Sequence, residues 1–237
     1  MPTTTRYEPV SVGNDHFEAF CAVPESGRGP GIVLFQEIFG VNDNMRALAV
    51  RLADAGYVVL VPDMFWRIER RFERNDESGM ADAFAVMQQF DLAGAVNDIQ
   101  AAHAHLLGMG ECTGRVGVIG FCLGGALAFA AATMSRVNDR GPDATVCYYG
   151  SAINDMLGQV DRIAAPILFH YGTRDPFIPG EKVDEVERAV VGPGVEFYRY
   201  DAGHAFSNWD TPSMYDEAAA SEAWPRTLEF FARHLEP

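Results

Sequence analysis

Short apolar runs alternate along this chain with longer segments in which apolar residues recur every three or four positions. The runs are GIVLF at 31–35, YVVLV at 57–61, VGVI at 116–119, TVCYY at 145–149, PILFH at 166–170 and VEFYRY at 195–200. They are apolar almost throughout rather than alternately, as in strands covered on both faces. Residues 5–22 read as a hairpin that adds an antiparallel edge.

Between the runs lie helices. Val41, Met45, Leu48, Leu52 and Ala55 share one face, with Asn42 or Asp43 to cap the start and Gly56 to end it. Leu92, Val96, Ile99, His103 and Leu106 repeat the pattern, and further helices are predicted over 123–134, 181–190 and 214–234. This alternation predicts an α/β fold: a mostly parallel sheet with helices on both faces, in a single domain over residues 1–237. In such sheets ligands bind beyond the carboxyl ends of the strands. Residues 67–80 (RIERRFERNDESGM) break the pattern, being highly charged with no clear apolar stripe. They are either a solvated excursion or a flap over the site.

Charge narrows the partners. With 18 basic and 33 acidic residues the chain carries a net −15. It would repel phosphate backbones and anionic lipid, so neither nucleic acid nor a membrane is an expected partner. No apolar stretch approaches the ~20 residues of a membrane span, and the N-terminus lacks the apolar run of a signal peptide. Cys21, Cys112, Cys122 and Cys147 form no C-x-x-C pair. They read as free thiols in a cytoplasmic protein, with Cys21 and Cys147 buried in strands. A monomer or a homodimer fits equally, and no metal or cofactor is expected.

One cysteine stands apart. The run ending at Ile119 leads into Gly120-Phe121-Cys122-Leu123-Gly124-Gly125 and then a helical ALAFAAA. Strand, G-x-C-x-G, helix is the nucleophile-elbow pattern with Cys as its central residue. The glycines allow a tight turn, and a helix N-terminus favours the reactive thiolate. The backbone N–H of Leu123 would be an oxyanion donor. A buried cysteine in a glycine-rich turn is the bland alternative, but two further residues weigh against it. Asp175 follows the run PILFH and His204 follows VEFYRY, each at the carboxyl end of its strand. The order nucleophile, acid, histidine is that of α/β-hydrolases, with His204 as base and Asp175 as its orienter. His103 lies on an apolar helical stripe and reads as a core histidine. His170 has no orienter, and His16, His105 and His234 read as surface residues. Asp201, only three residues before His204, is awkwardly placed to reach its ring.

Directly after GIVLF stands Gln36-Glu37-Ile38-Phe39-Gly40-Val41-Asn42, which puts a carboxylate opposite the elbow. With PDMFWR at 62–67, FD at 90–91, GFCLGGALAF at 120–129, GTRDPFIP at 172–179 and AGHAF at 202–206, the chain resembles the dienelactone hydrolase (carboxymethylenebutenolidase) family over nearly its whole length. The resemblance implies an α/β-hydrolase fold, a Cys122–His204–Asp175 triad, and oxyanion donors at the N–H groups of Ile38 and Leu123. It implies that Glu37 holds the resting thiol away from the histidine and takes its proton when substrate arrives. The product would be a hydrolysed small lactone or ester, formed through an acyl-thioester. Phe39, Arg67, Met80, Phe206 and Asn208 are the expected substrate contacts.

The chain departs from the family where the substrate carboxylate is held. Two arginines serve there in members acting on dienelactone; the corresponding positions here are Asn208 and Met80, and Ala205 replaces a frequent serine. A less anionic substrate is therefore expected, unless Arg67, Arg70, Arg71 or Arg74 folds over the site. Two readings from other classes remain: a thiol redox protein using Cys122 with Cys112 as resolving thiol, and a non-catalytic ligand-binding α/β module.

Overall fold

The computed structural model describes residues 2–235. Strands β1 (Thr4–Val12) and β2 (Asp15–Val23) form the expected hairpin. Six strands follow: β3 (Gly29–Phe35), β4 (Val58–Pro62), β5 (Cys112–Phe121), β6 (Ala144–Tyr148), β7 (Ile167–Gly172) and β8 (Val195–Tyr200). All eight belong to one sheet in the order β1-β2-β4-β3-β5-β6-β7-β8. The hairpin joins it antiparallel through β2 and β4, and every later pairing is parallel. This is the mostly parallel α/β-hydrolase fold.

The helices are α1 (Asp43–Asp54), α2 (Met80–Met87), α3 (Leu92–Gly108), α4 (Leu123–Met134), α5 (Gly180–Val190) and α6 (Glu217–Leu235). Two neighbouring contacts show why the central strands are apolar on both faces. Gly31, in register with Val116, lies so close under Leu106 of α3 that a Cβ would sit 2.9 Å from its side chain. The next residue of β5, Gly117, lies as closely under Phe231 and Leu235 of α6. Successive strand residues point to opposite faces, so α3 and α6 cover opposite sides of the sheet.

Three features differ from the sequence expectation. A 3-10 stretch at Ile153–Arg162 and the helix α2 had no counterpart in it, and α6 begins at Glu217 rather than Met214. Before Glu217 the chain is still turning: the N–H groups of Met214 and Tyr215 bond to Thr211 O, and the Asp216 carboxylate caps Ala219 N–H.

The charged stretch 67–80 is a pinned excursion that ends in an apolar cover. Arg67 pairs with buried Asp98 (2.7 Å), Arg70 with Asp15 (3.2 Å), Arg71 with Glu18 (2.8 Å) and Arg74 with Asp82 (2.8 Å). Beneath them the Asp63 carboxylate accepts from the N–H groups of Phe65 (3.0 Å) and Arg71 (2.8 Å). Burial raises the Asp63 pKa to about 6, against the pull of those two hydrogen bonds. The excursion then leads into α2, which returns to the carboxyl edge of the sheet.

Arg67 is half exposed, so much of its pairing is screened, but Asp98 is almost fully buried. Arg67→Ala leaves Asp98 with the Trp66 Nε1–H donor (2.9 Å). The expected loss is about 1–2 kcal/mol, read from the urea midpoint at unchanged m-value.

Candidate active site

Cys122 sits between β5 and α4 with φ 55° and ψ −115°, a conformation that costs a non-glycine residue about 1–3 kcal/mol. The surroundings hold it there. Its N–H bonds to Tyr148 O (3.1 Å), and its carbonyl accepts from Gly125 N–H (3.0 Å). The glycines on either side are sterically required. A Cβ at Gly120 would lie 1.8 Å from Gly124 O, and one at Gly124 would lie 2.3 Å from Phe35 O.

Asp175 follows β7 and His204 follows β8, and the two meet. His204 Nδ1–H donates to Asp175 Oδ2 at 2.7 Å. The other oxygen, Oδ1, accepts from the N–H groups of Phe177 (2.8 Å) and Ile178 (3.0 Å), which fixes the carboxylate. On its far side His204 faces Cys122, and the two line the same cavity. Burial disfavours a charged His204, but the Cys122 sulfur and the Asp175 carboxylate outweigh it and raise the pKa to about 10.

Glu37, directly beyond β3 and Gln36, is buried beside this pair. One oxygen accepts from Tyr149 O–H (3.2 Å) and the other from Asn208 Nδ2–H (2.5 Å). Burial raises the Glu37 pKa; the Asn208 bond, the His204 charge and the Tyr149 bond pull it back in part. Tyr149 also shares a hydrogen bond with Ser207 (2.7 Å) and packs its ring 5.1 Å from His204. Both Tyr149 (φ 36°) and Ala205 (φ 52°) share the left-handed backbone of Cys122. Three strained residues gathered at one strand edge mark a functional site.

Cys122, His204 and Glu37 open into a cavity of about 180 Å³ whose walls are Phe39, Met80, Phe84, Met87, Phe177 and Met214, with Ile38, Ser151 and Ala205 between them. Larger clefts of 290 and 270 Å³ contain neither Cys122 nor His204. Phe39 and Met80 therefore lie where substrate contacts were expected, and three other residues do not. Arg67 is on Asp98. Phe206 is fully buried behind the site among Tyr148, Tyr149 and Tyr200. Asn208 is spent on Glu37, whose two oxygens take Asn208 and Tyr149 as donors. Arg70, Arg71 and Arg74 are drawn away by their own carboxylates.

The rival residues are accounted for. His170 is a core residue bonded to Tyr200 O–H (2.8 Å) and Thr227 (3.1 Å), and burial lowers its pKa to about 3. His103 is likewise buried, with its pKa lowered to about 4 by burial. His16 is exposed, while His105 and His234 are only partly so. Asp201 is exposed and pairs with Arg174. Cys21 and Cys147 are buried, as expected. Cys112 starts the strand that Cys122 follows, and so stands at the opposite end of β5. Among the wall residues the sequence reading missed, Phe84 and Met87 carried a signal, since with Met80 they stand at i, i+4 and i+7. Tyr149, inside an apolar run, carried none.

The model of the dienelactone hydrolase family matches residues 17–235. The chain belongs to the dienelactone hydrolase family. A carboxymethylenebutenolidase of Pseudomonas sp. (strain P51) is 36% identical over 226 residues, covering 93% of this chain and 92% of its own. One from Cupriavidus pinatubonensis is 32% identical over 233 residues, covering 97% of each. The crystal structure of a dienelactone hydrolase-like promiscuous phosphotriesterase from metagenomic libraries has a TM-score of 0.80 at 27% identity, covering 99% of this chain and all of that one. The protein is thus a dienelactone hydrolase-like carboxylic ester hydrolase. Among the described residues of this family member, no helix is long and apolar enough to cross a membrane.

A histidine that holds its proton more tightly in the folded than in the unfolded chain stabilises the fold while protonated. The contribution of His204 is complete below the unfolded value near 6.5 and is lost as pH rises through about 10. The thermal midpoint is expected to fall between pH 7 and 10.5, and less steeply in His204→Gln.

Proposed function

We propose that this protein hydrolyses a small lactone or ester with Cys122 as nucleophile, through an acyl-thioester. The observation that carries the reading is the His204–Asp175 pair facing Cys122, the three brought from three strand ends to one cavity. Cys122 Sγ attacks the carbonyl carbon with its proton on His204. The oxyanion forms beside the N–H of Leu123, which opens α4 and so has no intrahelical partner, and beside that of Ile38 on the facing loop. His204 passes its proton to the departing oxygen, then takes one from the water that attacks the thioester. Asp175 keeps the imidazole in the tautomer both steps need. Glu37, fixed by Asn208 and Tyr149, acts by its charge, since it favours the imidazolium that each step forms.

The two competing readings are less favoured. A redox cycle at Cys122 wants a second thiol within reach, and Cys112 stands at the opposite end of β5. A binding module has no use for a base held by an orienting carboxylate.

Cys122→Ala is expected to lower kcat/KM on p-nitrophenyl acetate and on cis- and trans-dienelactone by on the order of 10⁴ or more, and His204→Ala comparably. Full esterase activity in Cys122→Ala would overturn the assignment.

A further inference from the structure

The walls of the cavity bear on what the ester carries besides its reacting carbonyl. Three thioethers and three phenyl rings, from Met80, Met87, Met214, Phe39, Phe84 and Phe177, surround the sulfur. Among the described residues no lysine or arginine lines this space; its charged groups are Glu37 and His204. His204 is committed to Cys122 and Asp175. Glu37 presents a carboxylate whose hydrogen bonds come from behind, from Asn208 and Tyr149. The arginines nearest in sequence to the wall are each held by an acid outside it: Arg67 by Asp98, Arg70 by Asp15, Arg71 by Glu18 and Arg74 by Asp82.

Resting on the function proposed above, we propose that the substrate is an uncharged ester or lactone with an unbranched or flexible apolar acyl chain, and that Met80, Phe84 and Met87 of α2 select it. A substrate carboxylate entering this cavity would lose its water and gain no cation, an expense the apolar wall cannot offset. It would also meet Glu37. An apolar chain instead trades water for thioether and phenyl contacts. Methionine suits such a wall, since its unbranched side chain adapts to several shapes. The small cavity, about 180 Å³, favours a short chain.

The test compares two methyl esters of nearly the same shape, methyl pentanoate and monomethyl glutarate, by pH-stat on the wild-type protein. The second carries a carboxylate where the first has a methyl group. The expected kcat/KM favours methyl pentanoate by at least about 100-fold, the scale set by an unpaired buried charge. From acetate to pentanoate, kcat/KM rises about four-fold per methylene, then levels or falls beyond hexanoate. Met87→Arg, at the C-terminal end of α2 where a cation is favoured, narrows or reverses the preference. Equal turnover of the two esters, or preference for monomethyl glutarate, overturns the proposal whatever Met87→Arg does. Cys122→Ala separates the two claims: if it is inactive while the anionic ester is preferred, the substrate class fails and the thiol mechanism stands. If it stays active, the mechanism itself fails.

Discussion

The site depends on how closely α4 can approach the ends of three strands. At Gly120, Gly124 and Gly125 a Cβ would come within 1.8, 2.3 and 2.5 Å of backbone oxygens, those of Gly124, Phe35 and Tyr148. With hydrogen there instead, the helix seats against the carboxyl ends of β3 and β6. The chain between β5 and α4 then has no room except through the left-handed conformation of Cys122. That seat decides what the sulfur faces. β3 brings Glu37 and Ile38 to one side of it, and β6 brings Tyr149 to another. The strain at Cys122 is held by the hydrogen bonds of its own N–H and carbonyl.

Around this sulfur the charges are arranged to balance. A buried carboxylate and a buried imidazole are each costly alone. Glu37 keeps two donors, and its field supports a charged His204. Asp175 supports the same charge from the opposite side, with its second oxygen tied to two backbone N–H groups. Asn208 has a part here that its position four residues after the histidine did not suggest. An arginine at that point would bring a cation to the cavity; an asparagine brings a neutral amide that Glu37 uses up.

Much of this was legible in the sequence, because the informative constraints were local. Continuous apolar runs mark strands buried on both faces, and the register of Gly31 and Gly117 shows the two helix layers that bury them. The elbow was legible because its glycines are steric necessities at fixed spacing. Asp175 and His204 were legible because each follows a strand that must end at the same edge. What was lost depends on contacts distant in the chain. Arg67, Arg70 and Arg71 are oriented by Asp98, Asp15 and Glu18, from α3 and from the first hairpin, and nothing local predicts those pairs. The helix α2 was hidden by the charged residues before it, although its stripe of Met80, Phe84 and Met87 was present.

Those distant ion pairs also explain how a segment with so many arginines can border an apolar cavity. A chain with net −15 has carboxylates to spare, and β2 and α3 present some of them beside the excursion. The guanidinium groups point to neighbouring carboxylates, at 2.7 Å for Arg67 and 3.2 Å for Arg70, and none lines the space around Cys122. The same excess of acid disfavours the approach of an anion from solution, and within a Debye length of about 8 Å that effect survives physiological salt. Global charge, the pairing of the excursion and the lining of the cavity thus act in the same direction. The acidic surface ties the arginines outward, and α2 can then present thioether and phenyl groups to the nucleophile instead of cations.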